Sequence, residues 1–452
     1  MTGLVDILRS GAWVTRERMR LVAGLLLAAG LLGAAFLVAT SDGRNDRFGR
    51  PLGTDFSNVY AAGTYVLEGE PAAPFAPARQ YAREQAIFGQ DTGFYGWHYP
   101  PFFLGLAALL ATMPYLLALA VWQGATLGLY VLAMRAILLV PPPLAGEGGQ
   151  RSWPGGGASR ITDVTSPDSA LRAEPPSPFR GGIKNEWLLL ALAFPAVFIN
   201  LGHGHNGFLT AALFATGLVM LVERPLLAGV LLGLLAYKPQ FGLLIPLALA
   251  MGGYWRAFAA AAATVVVLVL AVTLAFGIEV WTAFLASSHF TRTVVLEQGD
   301  TGWHKIQSVF SWVRMWGGGV PLAYAAQGAV TLCAAAAVAW LWRGRVAFAL
   351  KAAALALATL LATPYSLDYD LMLLAPAIAF LAADGLARGF APYEKTLLVA
   401  LWLMPLVARS LALAAHIPLA APLMLLAFGF LLRRAIREQA GAQTGGVLRA
   451  QP

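Results

Sequence analysis

Residues 21–39 read LVAGLLLAAGLLGAAFLVA, a run of 19 residues without a charge. A helix of roughly 20 predominantly apolar residues crosses the hydrocarbon core of a bilayer, so this run predicts a membrane span. Arg9, Arg16, Arg18 and Arg20 precede it, as basic residues precede the core of a secretory signal. The run is long for a signal core and further apolar runs follow. We therefore predict an uncleaved first span with a cytoplasmic N-terminus.

The composition of the whole chain supports this interpretation. Of the 452 residues, 58% are hydrophobic and 12% are charged, which is far from the usage of soluble domains. Apolar segments recur almost to the C-terminus, which predicts an all-α polytopic membrane protein with about 11–13 transmembrane helices. The net charge of +8 fits basic loop ends on the cytoplasmic side. It does not indicate nucleic-acid binding, because no soluble domain rich in Arg and Lys is present.

The chain divides into four predicted regions, and the first contains a long outer loop, 41–98. The regions are an N-terminal module (1–140), a disordered Pro/Gly-rich cytoplasmic insertion (141–186), the remaining transmembrane bundle (187–435) and a disordered tail (436–452). The loop is much longer than ordinary connections of about 4–6 residues, and its apolar spacing predicts short interfacial helices. Residues 101–139 form two apolar segments around Pro114 but must cross the membrane a net single time, so either one segment is re-entrant or the segment boundaries are wrong.

Polar residues interrupt the apolar pattern at several points that the basic loop ends assign to the non-cytoplasmic face. Polar side chains at membrane depth mark sites or pathways by default. The candidate site residues are Asp55, His98, Tyr99, His203, His205, Asn206, Lys238, Gln240, Gln307, Arg314, Asp368 and Asp370.

Each candidate has an ordinary structural interpretation beside the functional one. Asp55 could cap a helix or act as a general base. Lys238 could extend its ammonium to the interface, or could meet an anion such as a phosphate, because lysine is disfavoured on this face. His98 could be part of an aromatic anchor or could contact substrate. His203 and His205 could bind a metal, but no acidic or cysteine partner lies near them in sequence.

The order and spacing of these motifs resemble the GT-C superfamily of membrane glycosyltransferases, and most closely glycosyltransferase family 87, the polyprenol-phosphate-mannose-dependent mannosyltransferases. The resemblance covers most of the chain apart from 141–186. It rests on Asp55 in the first outer loop, the helix entry Tyr99–Pro101, the turn Gly204–Asn206, the turn Lys238–Gln240, Gln307 and Ser308 with the following Arg314, and the span entrance at 363–370. The chain departs from the family pattern in having His205 in the turn, and Asp368, Tyr369 and Asp370 where histidines are usual.

The resemblance implies a GT-C type bundle in a bacterial inner membrane, with its active site facing the exterior. The implied reaction is an inverting transfer of a hexose, with mannose expected, from a polyprenyl-phosphate sugar to a lipid or glycan acceptor. No metal or other cofactor is implied. Asp55 would be the base, Lys238 and Arg314 would bind the donor phosphate, and the other candidates would contact substrate.

Two other classes of function stay open at this point. A lipid or polysaccharide transporter or flippase would also need intramembrane charges and broken helices, although we find no internal repeat of the kind that transporters usually show. A non-catalytic assembly factor would tolerate the loss of Asp55.

Overall fold

The computed structural model describes residues 2–139 and 186–448. These residues form helices and connecting turns, and they contain no β-strand beyond isolated bridges. Six helices in this part of the chain are long and apolar enough to cross a membrane. The predicted class, an all-α polytopic membrane protein, is confirmed.

The helices within residues 2–139 include the first predicted span and the helices of the outer loop. Their bounds are α1 Thr2–Ser10, α2 Arg16–Ala39, α3 Thr54–Leu67, α4 Pro77–Phe88, α5 Leu104–Ala111 and α6 Tyr115–Leu139. Short 3-10 turns at Ala73–Phe75 and Pro101–Phe103 precede α4 and α5.

The helices within residues 186–448 alternate between long spans and short, interrupted segments. Their bounds are α7 Trp187–Leu192, α8 Pro195–His203, α9 Gly207–Val219, α10 Pro225–Gly233, α11 Pro239–Gly242, α12 Ile245–Met251, α13 Trp255–Phe276, α14 Glu279–Phe290, α15 Val309–Met315, α16 Val320–Arg343, α17 Phe348–Leu361, α18 Leu374–Arg388, α19 Glu394–Ala415 and α20 Ala420–Leu448. Proline at the first or second helical position begins several of them, where its missing N–H costs no hydrogen bond. Further turns are the 3-10 helices Leu234–Tyr237 and Asp368–Leu373 and the π-helix Thr291–Glu297.

The bundle has two ends, which we call the basic face and the site face. At the basic face, Arg434 pairs with Glu394 and Asp384 where α18, α19 and α20 meet. At the site face, Arg409 Nη1 lies 2.9 Å from Asp368 Oδ2. The first outer loop packs over the site face, where the Tyr115 hydroxyl donates to the Leu52 carbonyl at 2.6 Å.

The first outer loop is folded and is attached to the bundle through helix α3. Helix α3 packs closely against α5, because Gly63 has no side chain: a Cβ there would lie 2.1 Å from the Ala107 carbonyl oxygen. Phe56, at the start of α3, is fully buried. These contacts fix the position of the neighbouring Asp55.

The segment 101–139 contains one helix that does not cross the bundle and one that does. Helix α5 ends near Met113, whose carbonyl accepts a hydrogen bond from the Tyr60 hydroxyl of α3 at 2.9 Å. Both ends of α5 therefore contact the outer loop, and α6 then runs from Tyr115 toward the basic face. The re-entrant crossing of this segment stays a prediction.

Two of the predicted regions, the C-terminal tail and the insertion, lie at the ends of the described ranges. The C-terminal tail, predicted to be disordered from residue 436, continues α20 to Leu448. Glu438 accounts for part of this extension, because it pairs with Arg388 at 2.6 Å and accepts the Ala347 N–H at 3.3 Å. The predicted insertion 141–186 lies outside the described residues except for Glu186, which is buried at the start of α7.

Candidate active site

A cavity of about 540 Å³ opens between the first outer loop and the site face of the bundle. Clefts of roughly 300–1,000 Å³ with a few convergent polar groups are typical of small-molecule sites. Nine of the predicted site residues line it: Asp55, His98, Tyr99, His203, His205, Lys238, Gln240, Asp368 and Asp370. Segments far apart in sequence therefore converge on one polar cavity.

Asp55 lies in the first turn of α3 and not at the helix cap. Gly53 is the N-cap residue, and it has no side chain with which to cap this end of the helix. A carboxylate in the first turn is favoured by the partial positive charge of the helix N-terminus. The Asp55 side chain keeps 19% of its surface exposed, and its Oδ1 lies 3.7 Å from His203 Nδ1. The carboxylate is thus held in place and still accessible from the cavity.

Two glycines allow the turn that carries His203 and His205, which we call the histidine turn, to approach Asp55. Gly53 and Gly204 both have positive φ, +70° and +62°, where side chains are strained. A Cβ on Gly204 would lie 2.6 Å from Phe56 Cβ and 3.2 Å from Gly53 Cα. The Gly204 carbonyl also accepts the Trp122 Nε1–H at 3.0 Å. This close packing fixes the turn beside the first turn of α3.

Aromatic rings and imidazoles form the wall next to Asp55. The His205 ring stacks on Tyr369 with 3.5 Å between centroids, and its Nε2 lies 3.1 Å from the Tyr99 hydroxyl. His98 Nδ1 lies 2.8 Å from Thr291 Oγ1. Burial lowers the pKa of His98 to about 4, although Asp55 acts in the opposite direction. His98 is therefore neutral near pH 7 and offers hydrogen bonding, not charge.

Lys238 has an anionic partner within the protein. Its Nζ lies 2.6 Å from Asp370 Oδ1, and the two side chains are only 4% and 2% exposed. Asp370 Oδ2 accepts the Leu367 N–H at 3.0 Å, and Lys238 Nζ also lies over the rings of Phe241 and Tyr369. Buried charges need such partners. The anionic partner of Lys238 in this structure is therefore the Asp370 carboxylate, and not the phosphate that the sequence suggested.

Two further cations face the cavity. Lys305 and Arg409 line it, and the Asp368 N–H donates to the Lys305 carbonyl at 3.0 Å. Arg409 pairs with Asp368, whereas Lys305 has no carboxylate within ion-pair distance among the described residues. Burial lowers the pKa of Lys305, and the nearby charge of Arg409 lowers it further. Two cations that repel each other in a partly enclosed cavity are the expected arrangement for binding an anion.

Three predicted residues do not line the cavity. The Arg314 guanidinium donates to the carbonyls of Gly318 at 2.8 Å and Glu297 at 3.0 Å. The Gln307 amide donates to the His304 carbonyl at 2.9 Å. Asn206, the last residue of the turn Gly204–Asn206, is buried, and its side-chain amide has no hydrogen-bond partner among the described residues. Arg314 and Gln307 therefore stabilise the backbone next to the site.

The site residues predicted from the sequence do not include Lys305, Arg409 or Arg292, although all three line the cavity. Arg409 carried a usable signal, because it is a lone arginine inside the apolar helix α19 and charges at membrane depth mark sites. Lys305 and Arg292 lie in a long polar loop, where single cations carry no such signal. No group of three or more His, Cys, Asp or Glu residues is placed to hold a metal ion in the described part of the chain.

A buried carboxyl connects the outer loop to the cavity wall. Glu84 is fully buried and accepts the Tyr95 N–H at 3.1 Å, while the Gln80 amide bridges it to the Asn58 carbonyl. Both Tyr95 and Asn58 line the cavity. Burial raises the pKa of Glu84 to about 7 in spite of these hydrogen bonds. The protein therefore stabilises the neutral carboxyl.

Glu84→Gln is expected to remove one component of the pH dependence of stability. The folded pKa of about 7 exceeds the ordinary value of 4.5, so the stabilisation is present below about pH 4.5 and is lost as pH rises through 7. Thermal unfolding measured from pH 4.5 to 8 should show the wild type losing stability relative to the variant as pH rises. Glu68→Gln, at an exposed ion pair of the same loop, is the control and should lack this trend. Parallel pH profiles for wild type and Glu84→Gln would contradict the assignment.

Comparison with known proteins agrees with this combination of fold and site. A model of glycosyltransferase family 87 matches residues 97–364, more than half of the chain. The match includes the helix entry at Tyr99, the histidine turn, Lys238 and Lys305. Neither the curated proteins nor the solved structures give a significant match.

The fold and the family match define the chain as a multi-pass membrane glycosyltransferase. It belongs to glycosyltransferase family 87. Such an enzyme uses a sugar donor and an acceptor.

Proposed function

We propose that this protein transfers a hexose, with mannose the expected sugar, from a polyprenyl-phosphate sugar to a lipid or glycan acceptor. The observation that carries the proposal is one cavity of about 540 Å³ that contains an accessible carboxylate, Asp55, and two cations, Lys305 and Arg409. A base for the acceptor and an anion site for the leaving group are the two elements that this reaction needs.

In the proposed reaction the acceptor hydroxyl attacks the anomeric carbon of the bound sugar. The new C–O bond forms as the bond from that carbon to the phosphate oxygen breaks, and polyprenyl phosphate leaves with the bonding electron pair. Attack opposite the leaving group inverts the anomeric centre. Asp55 accepts the hydroxyl proton, and His203, whose Nδ1 lies 3.7 Å from the carboxylate and 2.8 Å from Thr54 Oγ1, forms the cavity wall beside it.

The donor phosphate is assigned to Lys305 and Arg409. Lys238 is less suited to direct contact, because its side chain is only 4% exposed, whereas that of Arg409, which is also paired with a carboxylate, is 37% exposed. Arg314 donates to backbone carbonyls outside the cavity. Two cations of the chain would offset the negative charge on the leaving phosphate, so we keep the expectation that no metal is needed.

The proposal places the cavity on the exterior side of a bacterial inner membrane. Its support is the concentration of Arg16, Arg20, Arg388 and Arg434 at the basic face, since basic residues favour the cytoplasmic side. The rings of Phe94, Phe284 and Phe290 line the cavity beside the charged groups. This mixed lining would suit an amphiphilic donor whose apolar chain stays in the membrane.

Lys305→Gln tests the phosphate assignment. Loss of a charge-assisted contact of roughly 1.5–3 kcal/mol should weaken donor binding by about 10–100-fold. The measurement is the Kd of a polyprenyl-phosphate mannose by titration of the purified protein. Arg345→Gln removes an exposed cation outside the cavity and should bind the donor like the wild type. Unchanged affinity in Lys305→Gln would remove this residue from the donor site.

A further inference from the structure

A second cavity, of about 320 Å³, lies at the basic face between α2, α6, α7, α18 and α19. Its walls are almost entirely apolar and include Val22, Met134, Phe194, Ala382 and Trp402. Val22 is 41% exposed, so the cavity opens toward the lipid side of α2. An apolar recess that opens to lipid is a place for a hydrocarbon chain.

The rim of this cavity carries positive charge. Arg18 and Lys395 line it; Arg18 donates to the Trp13 carbonyl at 3.0 Å, and Lys395 Nζ lies over the Phe390 ring. Neither cation has a carboxylate within ion-pair distance among the described residues. The neighbouring Glu186 is different, because Arg16 and Arg20 both pair with it. The rim therefore has two cations that no carboxylate of the described residues neutralises.

Helix α1 places this rim at headgroup depth. Its apolar residues Leu4, Val5 and Ile7 are 65%, 51% and 47% exposed, as expected for a helix lying in a membrane interface. Hydrogen bonds tie the end of α1 to α19: the Tyr393 N–H donates to the Arg9 carbonyl at 2.7 Å. Trp13, at the rim, donates to Thr396 Oγ1 at 3.0 Å, and tryptophan is enriched at membrane interfaces.

We propose that this cavity binds an anionic phospholipid of the leaflet at the basic face. One acyl chain occupies the apolar recess, and the phosphate lies between Arg18 and Lys395. A basic pocket between transmembrane helices on the cytoplasmic side is suited to an anionic headgroup. The site is separate from the candidate active site, and the proposal does not depend on the reaction proposed there.

The test is native mass spectrometry of the full chain in detergent, titrated with phosphatidylglycerol or phosphatidylcholine carrying the same acyl chains. The wild type should bind phosphatidylglycerol at least about tenfold more tightly than phosphatidylcholine. The double variant Arg18→Gln/Lys395→Gln should lose this preference. Arg256→Gln, which removes an exposed cation of the same face outside the cavity, should keep it. Ala382→Phe should weaken binding of both lipids, because the larger side chain fills the recess.

Three outcomes would overturn the proposal. Equal retention of the two lipids by the wild type would show that the rim does not select an anion. A double variant that keeps the preference would place the anion elsewhere. Phosphatidylglycerol binding that appears only after deletion of residues 145–182 would show that the protein's own chain occupies the recess.

Discussion

Asp55→Asn is expected to lower the rate of sugar transfer by about 100-fold or more, the usual range for losing general-base assistance. Asparagine keeps the shape of the side chain but cannot accept the acceptor proton. Donor binding should persist, because the phosphate is assigned to Lys305 and Arg409 and not to Asp55. Steady-state transfer rates measured beside donor Kd values therefore separate the two effects.

Asp300→Asn is the matched control for this variant. Asp300 also lines the cavity, so its replacement removes one negative charge without touching the proposed base. Its transfer rate should stay within a few-fold of the wild type. An Asp55→Asn protein that transfers sugar at the wild-type rate would remove Asp55 from the mechanism.

Lys238→Met is expected to destabilise the folded protein by about 3–5 kcal/mol, because it leaves the Asp370 carboxylate buried without its cation. The two groups are 2.6 Å apart and only 4% and 2% exposed, so solvent compensates little for the lost partner. The double variant Lys238→Met/Asp370→Leu removes both charges and should recover most of the stability. Unfolding of the reconstituted protein by increasing denaturant measures all three.

A different pattern would show that the ion pair has another role. Equal stabilities of wild type and Lys238→Met would mean that Asp370 is neutral or solvated in the folded protein. A double variant as unstable as the single one would mean that packing around Tyr369, not charge, holds this turn together.

The sequence predicts the membrane class and most of the cavity because both depend on local signals. Long apolar runs specify spans, and polar residues that interrupt them are costly unless they serve a site. Gly204 and Pro239 also indicate turns directly, since one permits positive φ and the other disfavours helix before it. These signals placed Asp55, His203 and Lys238 on one face.

Pairing between distant residues could not be predicted in the same way. Lys238 and Asp370 are 132 positions apart, and nothing local in either turn identifies the other. Arg314 shows the same difficulty, because the direction of its guanidinium depends on how α15 meets the loop at Glu297. Arg409 could have been found, since the rule that identified the other polar residues applies equally to an arginine within an apolar helix.

The most direct test of the central claim is the fate of labelled sugar in sealed proteoliposomes that contain the wild-type protein, a polyprenyl-phosphate mannose and acceptor lipids. We predict that the wild type forms a new labelled glycolipid. The Asp55→Asn protein should form it at least about 100-fold more slowly. Recovery of the label only as intact donor, moved to the other leaflet and equally so in both proteins, would contradict a glycosyltransferase that uses Asp55 and would favour a transporter.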